Sequence, residues 1–388
     1  MLRSYLAIGL VVLAATGLIA QHVEQNAHGF SKERLQRVGE LIDRRIAAKE
    51  IPGAVTLVAH RGMVIHLEAR GVLDVESRRP MTKDGIFDIA SMTKPITATA
   101  VLILVEEGRL RLTDSVSRFI PQFKDMKVAV KSSATVAANR EITIRDLLTH
   151  TSGLVAEPRF PEPTATLEHV IPKFATEPLE FQPGSRWAYS NTVAFDVLAR
   201  IVEVVSGQRY EQFLRERIFA PLGMVDTSYV VAGSSTSRLA PRYNVTADGL
   251  RLRQFTPAPT YAGGGWGLKS TAADYLRFAL MLLNKGELDG RRLLSPSTVS
   301  LMSGTHVPDT FPGRPSGESW GLSVRVVSNA AARNSWLSNG SFGWTGASGT
   351  HFWIDPQNEL VAILMVHAPA VALKPDFETA VMQAFVGS

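Results

Sequence analysis

Cysteine is missing from all 388 residues, and that absence removes disulfides, thiol nucleophiles and cysteine metal sites. It suits a chain that crosses into an oxidising compartment without identifying one. The nine histidines contain no H-E-x-x-H pair and no close cluster, so neither a metal nor a cofactor is expected. Low-complexity tracts and internal repeats are absent. The net charge of +5 comes from arginines scattered along the chain, which reads as a solvated surface and argues against nucleic-acid binding. Long apolar runs are confined to Tyr5–Ala20, behind the positive Arg3. That segment is short for a membrane span and has the length of a signal-peptide core. Leu18 makes a poor cleavage site before Ala20, so residues 1–20 read as a signal peptide or an uncleaved anchor. An exported, periplasmic protein is expected, touching a membrane only through residues 5–20.

Three short motifs carry chemistry. In Ser91-Met92-Thr93-Lys94 a serine precedes a lysine by one helical turn, because the apolar stretch Pro95–Val105 predicts a helix opening at Ser91. Positions i and i+3 share a helix face, so the amine can reach the hydroxyl. The helix N-terminus also favours a developing oxyanion. This is the S-x-x-K arrangement of serine acyl-transfer chemistry. Tyr189-Ser190-Asn191 follows a Pro-Gly turn and precedes a helix predicted over Thr192–Val205. A phenol at such a junction can relay a proton if Lys94 lies near it. Gly343-Trp344-Thr345-Gly346-Ala347-Ser348-Gly349 then leads into the strand-like His351–Ile354. Its small residues let a substrate lie close to a sheet edge. Its main-chain N–H at Ala347 is a partner for the Ser91 N–H in an oxyanion hole.

In this order the three motifs resemble the serine β-lactamase and penicillin-binding-protein superfamily, most closely its class C β-lactamase-like branch with the family VIII carboxylesterases. Leu147–Leu154, Phe219–Met224 and Gly263-Gly264-Gly265 with Ser270–Asp274 add to the likeness, which runs over about residues 30–388. The resemblance implies an α+β, β-lactamase/transpeptidase-like fold, with an antiparallel sheet flanked by helices and an inserted, mostly helical domain. It implies that Ser91 is acylated, that Lys94 and Tyr189 share the acid–base work, and that Asn191 holds Lys94 or a substrate amide. Trp344, Thr345 and Gly346 would line the substrate.

One position departs from the pattern. β-Lactamases and D,D-peptidases usually begin the third motif with lysine, a cation for the carboxylate of a penicillin or a terminal D-Ala. A charge-assisted bond of that kind contributes about 1.5–3 kcal/mol. Trp344 offers an indole N–H and an apolar face, so small neutral esters are favoured. A β-lactamase or D,D-peptidase remains the alternative, with Lys269 or an arginine supplying the cation. A non-enzymatic binding or sensor protein on the same fold is the second. A rival nucleophile is Ser319 in Gly317-Glu318-Ser319-Trp320-Gly321, with Asp355 and His367 following in α/β-hydrolase order. The nucleophile elbow needs a strand before the serine and a helix after it. Here Val307–Ser316 is proline-rich and Leu322–Val327 alternates like a strand, which is the wrong context.

The pattern divides the chain into residues 30–113 plus 263–388, carrying the sheet, and 114–262, read as helices and loops with little strand signal. Ser31–Lys49 predicts an amphipathic helix, and Ala54–His60 with Met63–Gly71 a hairpin. His60 and His66 flank its Arg61-Gly62 turn and are expected at the surface. His150 sits in a loop-like stretch and is expected to bond to backbone.

Overall fold

The computed structural model describes residues 29–130, 134–154, 166–253 and 261–387; Tyr5–Ala20 lies outside them. Leu360–Val366 (LVAILMV) is a continuous apolar run, the signature of a strand buried on both faces. It forms the last strand, in chain order, of an eight-stranded sheet. In chain order the strands are β1 (Gly53–His60), β2 (Met63–Asp74), β3 (Arg79–Pro80), β4 (Glu318–Trp320), β5 (Arg325–Val327), β6 (Phe342–Thr345), β7 (His351–Asp355) and β8 (Leu360–Val366). Their spatial order is β4-β5-β6-β7-β8-β1-β2-β3, and every neighbouring pair is antiparallel. The two chain ends meet where β1 pairs with β8, from Ala54 opposite Val366 to His60 opposite Leu360.

Side chains alternate across a strand, and here each set enters a different core. Val361, Ile363 and Met365 join Val55, Leu57 and Phe352 on one face, packed on helices α2 (Thr93–Glu106) and α4 (Ala272–Leu283). Leu360, Ala362, Leu364 and Val366 join Trp353 on the other, under α1 (Lys32–Ala47) and α5 (Leu373–Ala384). The Ser31 hydroxyl caps α1 by accepting the Arg34 N–H, and the helix buries Leu35, Val38, Leu41 and Ile42. The remaining long helix, α3 (Val193–Ser206), ends on Gly207 in the left-handed conformation (φ +74°). Helix α2 is buried on every side from Thr93 to Leu104, so it is a central pillar rather than an amphipathic surface helix.

Several expectations need correction. His60 and His66 are buried. His66 Nε2 lies 2.8 Å from Thr56 Oγ1, and His60 packs edge-on against Phe30 and Phe385. The hairpin turn is exposed, but α1 and the C-terminal segment cover the strand behind it. The middle of the chain also holds two small antiparallel hairpins, Lys127–Ala129 with Thr135–Ala137 and Tyr243–Thr246 with Gly249–Leu252. Most of these residues are exposed, so no buried face imposed an alternating pattern on them. Among the described residues, no helix is long and apolar enough to cross a membrane.

Candidate active site

Ser91 lies in a single 3₁₀ turn, Ala90–Met92, that runs directly into α2. Pro95 falls in the first helical turn, where an amide hydrogen is not needed. The turn starts from a strained position, since Ala90 has φ +44°, a region L-residues avoid. Its surroundings hold it there. Asp88 Oδ1 accepts the Ala90 N–H at 2.8 Å. Leu268 O accepts the Ile89 N–H at 3.0 Å, and the Tyr275 hydroxyl donates to Met92 O at 2.9 Å.

Lys94 is fully buried. Its Nζ donates to the main-chain oxygens of Asn191 and, at 2.9 Å, of Gly265, and stands 3.2 Å from Ser91 Oγ. Two carbonyls can only accept, so they fix two N–H bonds. The third direction, toward Ser91, is free to hold either an N–H or a lone pair. A proton can therefore pass between Ser91 and Lys94 without breaking either carbonyl bond. The segment that carries the Gly265 carbonyl lies close against α3: a Cβ on the preceding Gly264 would fall 2.0 Å from Phe195 O, so only glycine fits there. Asp196 Oδ1 accepts the Gly265 N–H at 3.2 Å, and its Oδ2 accepts from the Tyr261 hydroxyl at 3.2 Å and the Trp266 indole at 3.4 Å. Burial pushes the Asp196 carboxyl up to about 6, against the lowering effect of the Gly265 and Trp266 bonds and of Lys94.

Tyr189 lies with its ring centroid 5.0 Å from Lys94 Nζ, so the first two motifs do meet. The third joins them: the Trp344 indole N–H donates to the Tyr189 hydroxyl oxygen at 3.1 Å. Trp344 also packs edge-on against Trp320 at 4.4 Å, extending an aromatic cluster with Trp187 and His150. Gly346, in the same motif, presses on the serine turn, because a Cβ there would sit 2.5 Å from Ile89 O. Ala347 follows it and is exposed, while Thr345 is half-buried on β6. Asn191 is exposed and meets Lys94 through its main-chain oxygen.

The rival constellation does not form. Ser319 is buried on the edge strand β4, where its hydroxyl donates to Val307 O at 3.1 Å. Asp355 ends β7, three strands away or about 14 Å, and accepts bonds from Ser338, Gln357 and Asn358. Lys269 donates to Tyr229 O at 2.9 Å and Gly267 O at 2.8 Å. Among the described residues, no group of acids and histidines could hold a metal. Sequence reading missed Asp196, whose one signal was an acid on the apolar stripe of α3.

Residues 38–380 match the family model described as Beta-lactamase. Protein Rv1367c of Mycobacterium tuberculosis is 37% identical over 355 residues, covering 83% of this chain and 88% of that protein. Esterase EstB of Burkholderia gladioli is 30% identical over 370 residues, covering 85% and 90%. Among solved structures, EstCE1, described as a hydrolase with promiscuous acyltransferase activity, superposes with a TM-score of 0.78 at 26% identity, covering 92% of this chain and 99% of that one. The chain therefore belongs to the beta-lactamase family of serine hydrolases, within the superfamily of serine β-lactamases and penicillin-binding proteins.

Proposed function

We propose that this protein is a carboxylesterase for small neutral esters, acting through a covalent acyl-enzyme on Ser91. Ser91 Oγ attacks the ester carbonyl as its proton passes to the Lys94–Tyr189 pair. The main-chain N–H groups of Ser91 and Ala347 receive the oxyanion. The pair then protonates the departing alkoxide, and the alcohol leaves an ester on Ser91. Water, deprotonated by the same pair, attacks that ester and releases the acid. Asn191, Trp344, Thr345 and Gly346 border the substrate. Export through Tyr5–Ala20 belongs to the same proposal.

The observation that carries the ester assignment is the Trp344–Tyr189 bond at 3.1 Å. The third-motif side chain is neutral and its one donor is already directed at Tyr189, so it offers nothing to pair with a substrate carboxylate. Lys269, the lysine among the substitutes the β-lactam reading allows, has its ammonium on two main-chain oxygens. The similarity to Esterase EstB supports the same direction.

The test compares the full chain with Ser91→Ala on p-nitrophenyl butyrate and on nitrocefin. Ester turnover that falls by about three orders of magnitude or more in the variant, with negligible nitrocefin turnover, is the expected result. Nitrocefin hydrolysed as efficiently as the ester would overturn the assignment.

A further inference from the structure

His150 is fully buried, carries a backbone φ of +57° and has no role in the chemistry proposed above. Its surroundings form a pattern that its own loop does not explain. The main-chain oxygen of His150 accepts the Ala188 N–H at 3.0 Å. Its side-chain Nδ1 accepts the Ser190 N–H, also at 3.0 Å. The residues on either side of Tyr189 are therefore both tied, through their N–H groups, to one residue. The imidazole ring lies against the Tyr189 ring itself, with centroids 4.6 Å apart, and against Phe195 at 5.3 Å and Trp320 at 4.9 Å.

We propose that His150 is a positioning residue that sets the reach and orientation of the Tyr189 hydroxyl through these three contacts. It touches neither substrate nor the reacting atoms. The inference rests on the assignment of Tyr189 to the acid–base pair.

The chemistry of the contact constrains the side chain that can make it. An amide N–H needs a lone pair opposite, so Nδ1 must be bare and the ring proton must sit on Nε2. Burial first, and the charge of Lys94 second, hold the His150 imidazole well below the usual histidine range, which keeps that lone pair available near neutral pH. A side chain of the same shape without an acceptor would leave the Ser190 N–H buried and unpaired, and that cost is met by moving the peptide. Tyr189 is one residue away, so its hydroxyl moves with it. Small displacements of a proton-transfer group are expensive in rate. The left-handed backbone at residue 150 has the same consequence from the other side. It turns the His150 carbonyl toward Ala188 while the side chain faces Ser190, which lets one residue hold both.

Two substitutions in the full chain separate the acceptor from the ring. His150→Phe keeps an aromatic ring against Tyr189 and removes the acceptor. His150→Asn loses the ring and can place an amide oxygen near the Nδ1 position. Each is measured for kcat and KM on p-nitrophenyl butyrate, for the rate of Ser91 labelling by a fluorophosphonate, and for thermal unfolding. Active-site concentration is taken from complete labelling. Expected is a fall of about tenfold or more in kcat per labelled site for His150→Phe, with KM within about threefold, and recovery of most of that loss in His150→Asn. A contribution to stability alone would lower the melting temperature of both variants while leaving kcat per labelled site unchanged, and that result overturns the proposal. Equal losses in the two variants also overturn it. If wild type labels on Ser91 but does not hydrolyse the ester, the ester assignment fails by itself. The labelling rates, which need the same acid–base pair but no ester, then decide the role of His150 by the same ordering of variants.

Discussion

Trp344→Phe isolates one hydrogen bond at the centre of the proposed mechanism. The substitution keeps an aromatic ring between Tyr189, 5.1 Å away, and Trp320, 4.4 Å away, and deletes the indole N–H that reaches the Tyr189 oxygen at 3.1 Å. The magnitude depends on the charge that oxygen carries at the transition state. A bond between neutral partners contributes about 0.5–1.5 kcal/mol, and one to a charged acceptor about 1.5–3 kcal/mol. If Tyr189 gives up proton density as Ser91 attacks, the indole bond strengthens there and its loss appears in kcat. At about 1.4 kcal/mol per decade, the charged case predicts a fall of roughly 10- to 150-fold in kcat/KM with KM little changed. The neutral case predicts less than about tenfold. The assay is steady-state hydrolysis of p-nitrophenyl butyrate, normalised to fluorophosphonate-reactive Ser91. A variant within about twofold of wild type would refute the reasoning, since the bond would then contribute to neither position nor charge.

Three further outcomes follow from other parts of the site and its frame. Asp196 has a folded value of about 6 against an ordinary 3.8, so it favours the fold while protonated, and that contribution is lost as pH rises from about 4 through 6. Urea unfolding at pH 4 and pH 7 should show wild type losing about 2–3 kcal/mol relative to Asp196→Asn between the two, and equal pH dependence would contradict it. Gly346→Ala places a Cβ 2.5 Å from Ile89 O and 2.1 Å from Thr350 Oγ1. It should displace the serine turn and slow Ser91 labelling by about tenfold or more. Glu378 is buried and bonded to Arg325 at 2.9 Å, Arg333 at 3.2 Å and His351 at 3.0 Å. Glu378→Gln leaves Arg325 and Arg333 with Glu318 as their remaining carboxylate partner, and denaturant unfolding should register a loss of at most about 3–5 kcal/mol.

What the sequence disclosed follows from which constraints are local. Ser91 and Lys94 are three residues apart on one helix, and helical geometry alone brings an amine to a hydroxyl. The all-apolar run of Leu360–Val366 announces a strand covered on both faces, because no solvated arrangement accommodates it. Asp196 and His150 are of another kind. An acid near the start of an apolar helix reads as an ordinary first-turn carboxylate, and nothing near it in the chain announces that Gly265, Tyr261 and Trp266 converge on it from about seventy residues away. His60 is a further case, since the turn beside it is exposed while Phe30 and Phe385, which pack against it, lie at opposite ends of the chain.

Trp344 shows how a locally legible residue can still be read incompletely. Its place in the third motif identifies it as a substitution for lysine, and that reading concerns what it denies a substrate. The fold adds what it supplies, because the strand β6 brings its indole to the hydroxyl of Tyr189. A lysine at this position would carry a full positive charge beside the phenol, whereas the indole offers a single neutral donor. The same replacement would then act twice, removing the attraction for a substrate carboxylate and exchanging a cation for a weaker donor at Tyr189. Trp344→Lys separates the two effects. If both operate, the variant should bind anionic β-lactams more tightly by one to two decades, the scale of a charge-assisted bond. Its pH–rate profile on a neutral ester should also shift toward lower pH, because a nearby cation stabilises the phenolate. Tighter β-lactam binding with an unchanged profile would confine Trp344 to substrate selection and remove it from the acid–base machinery.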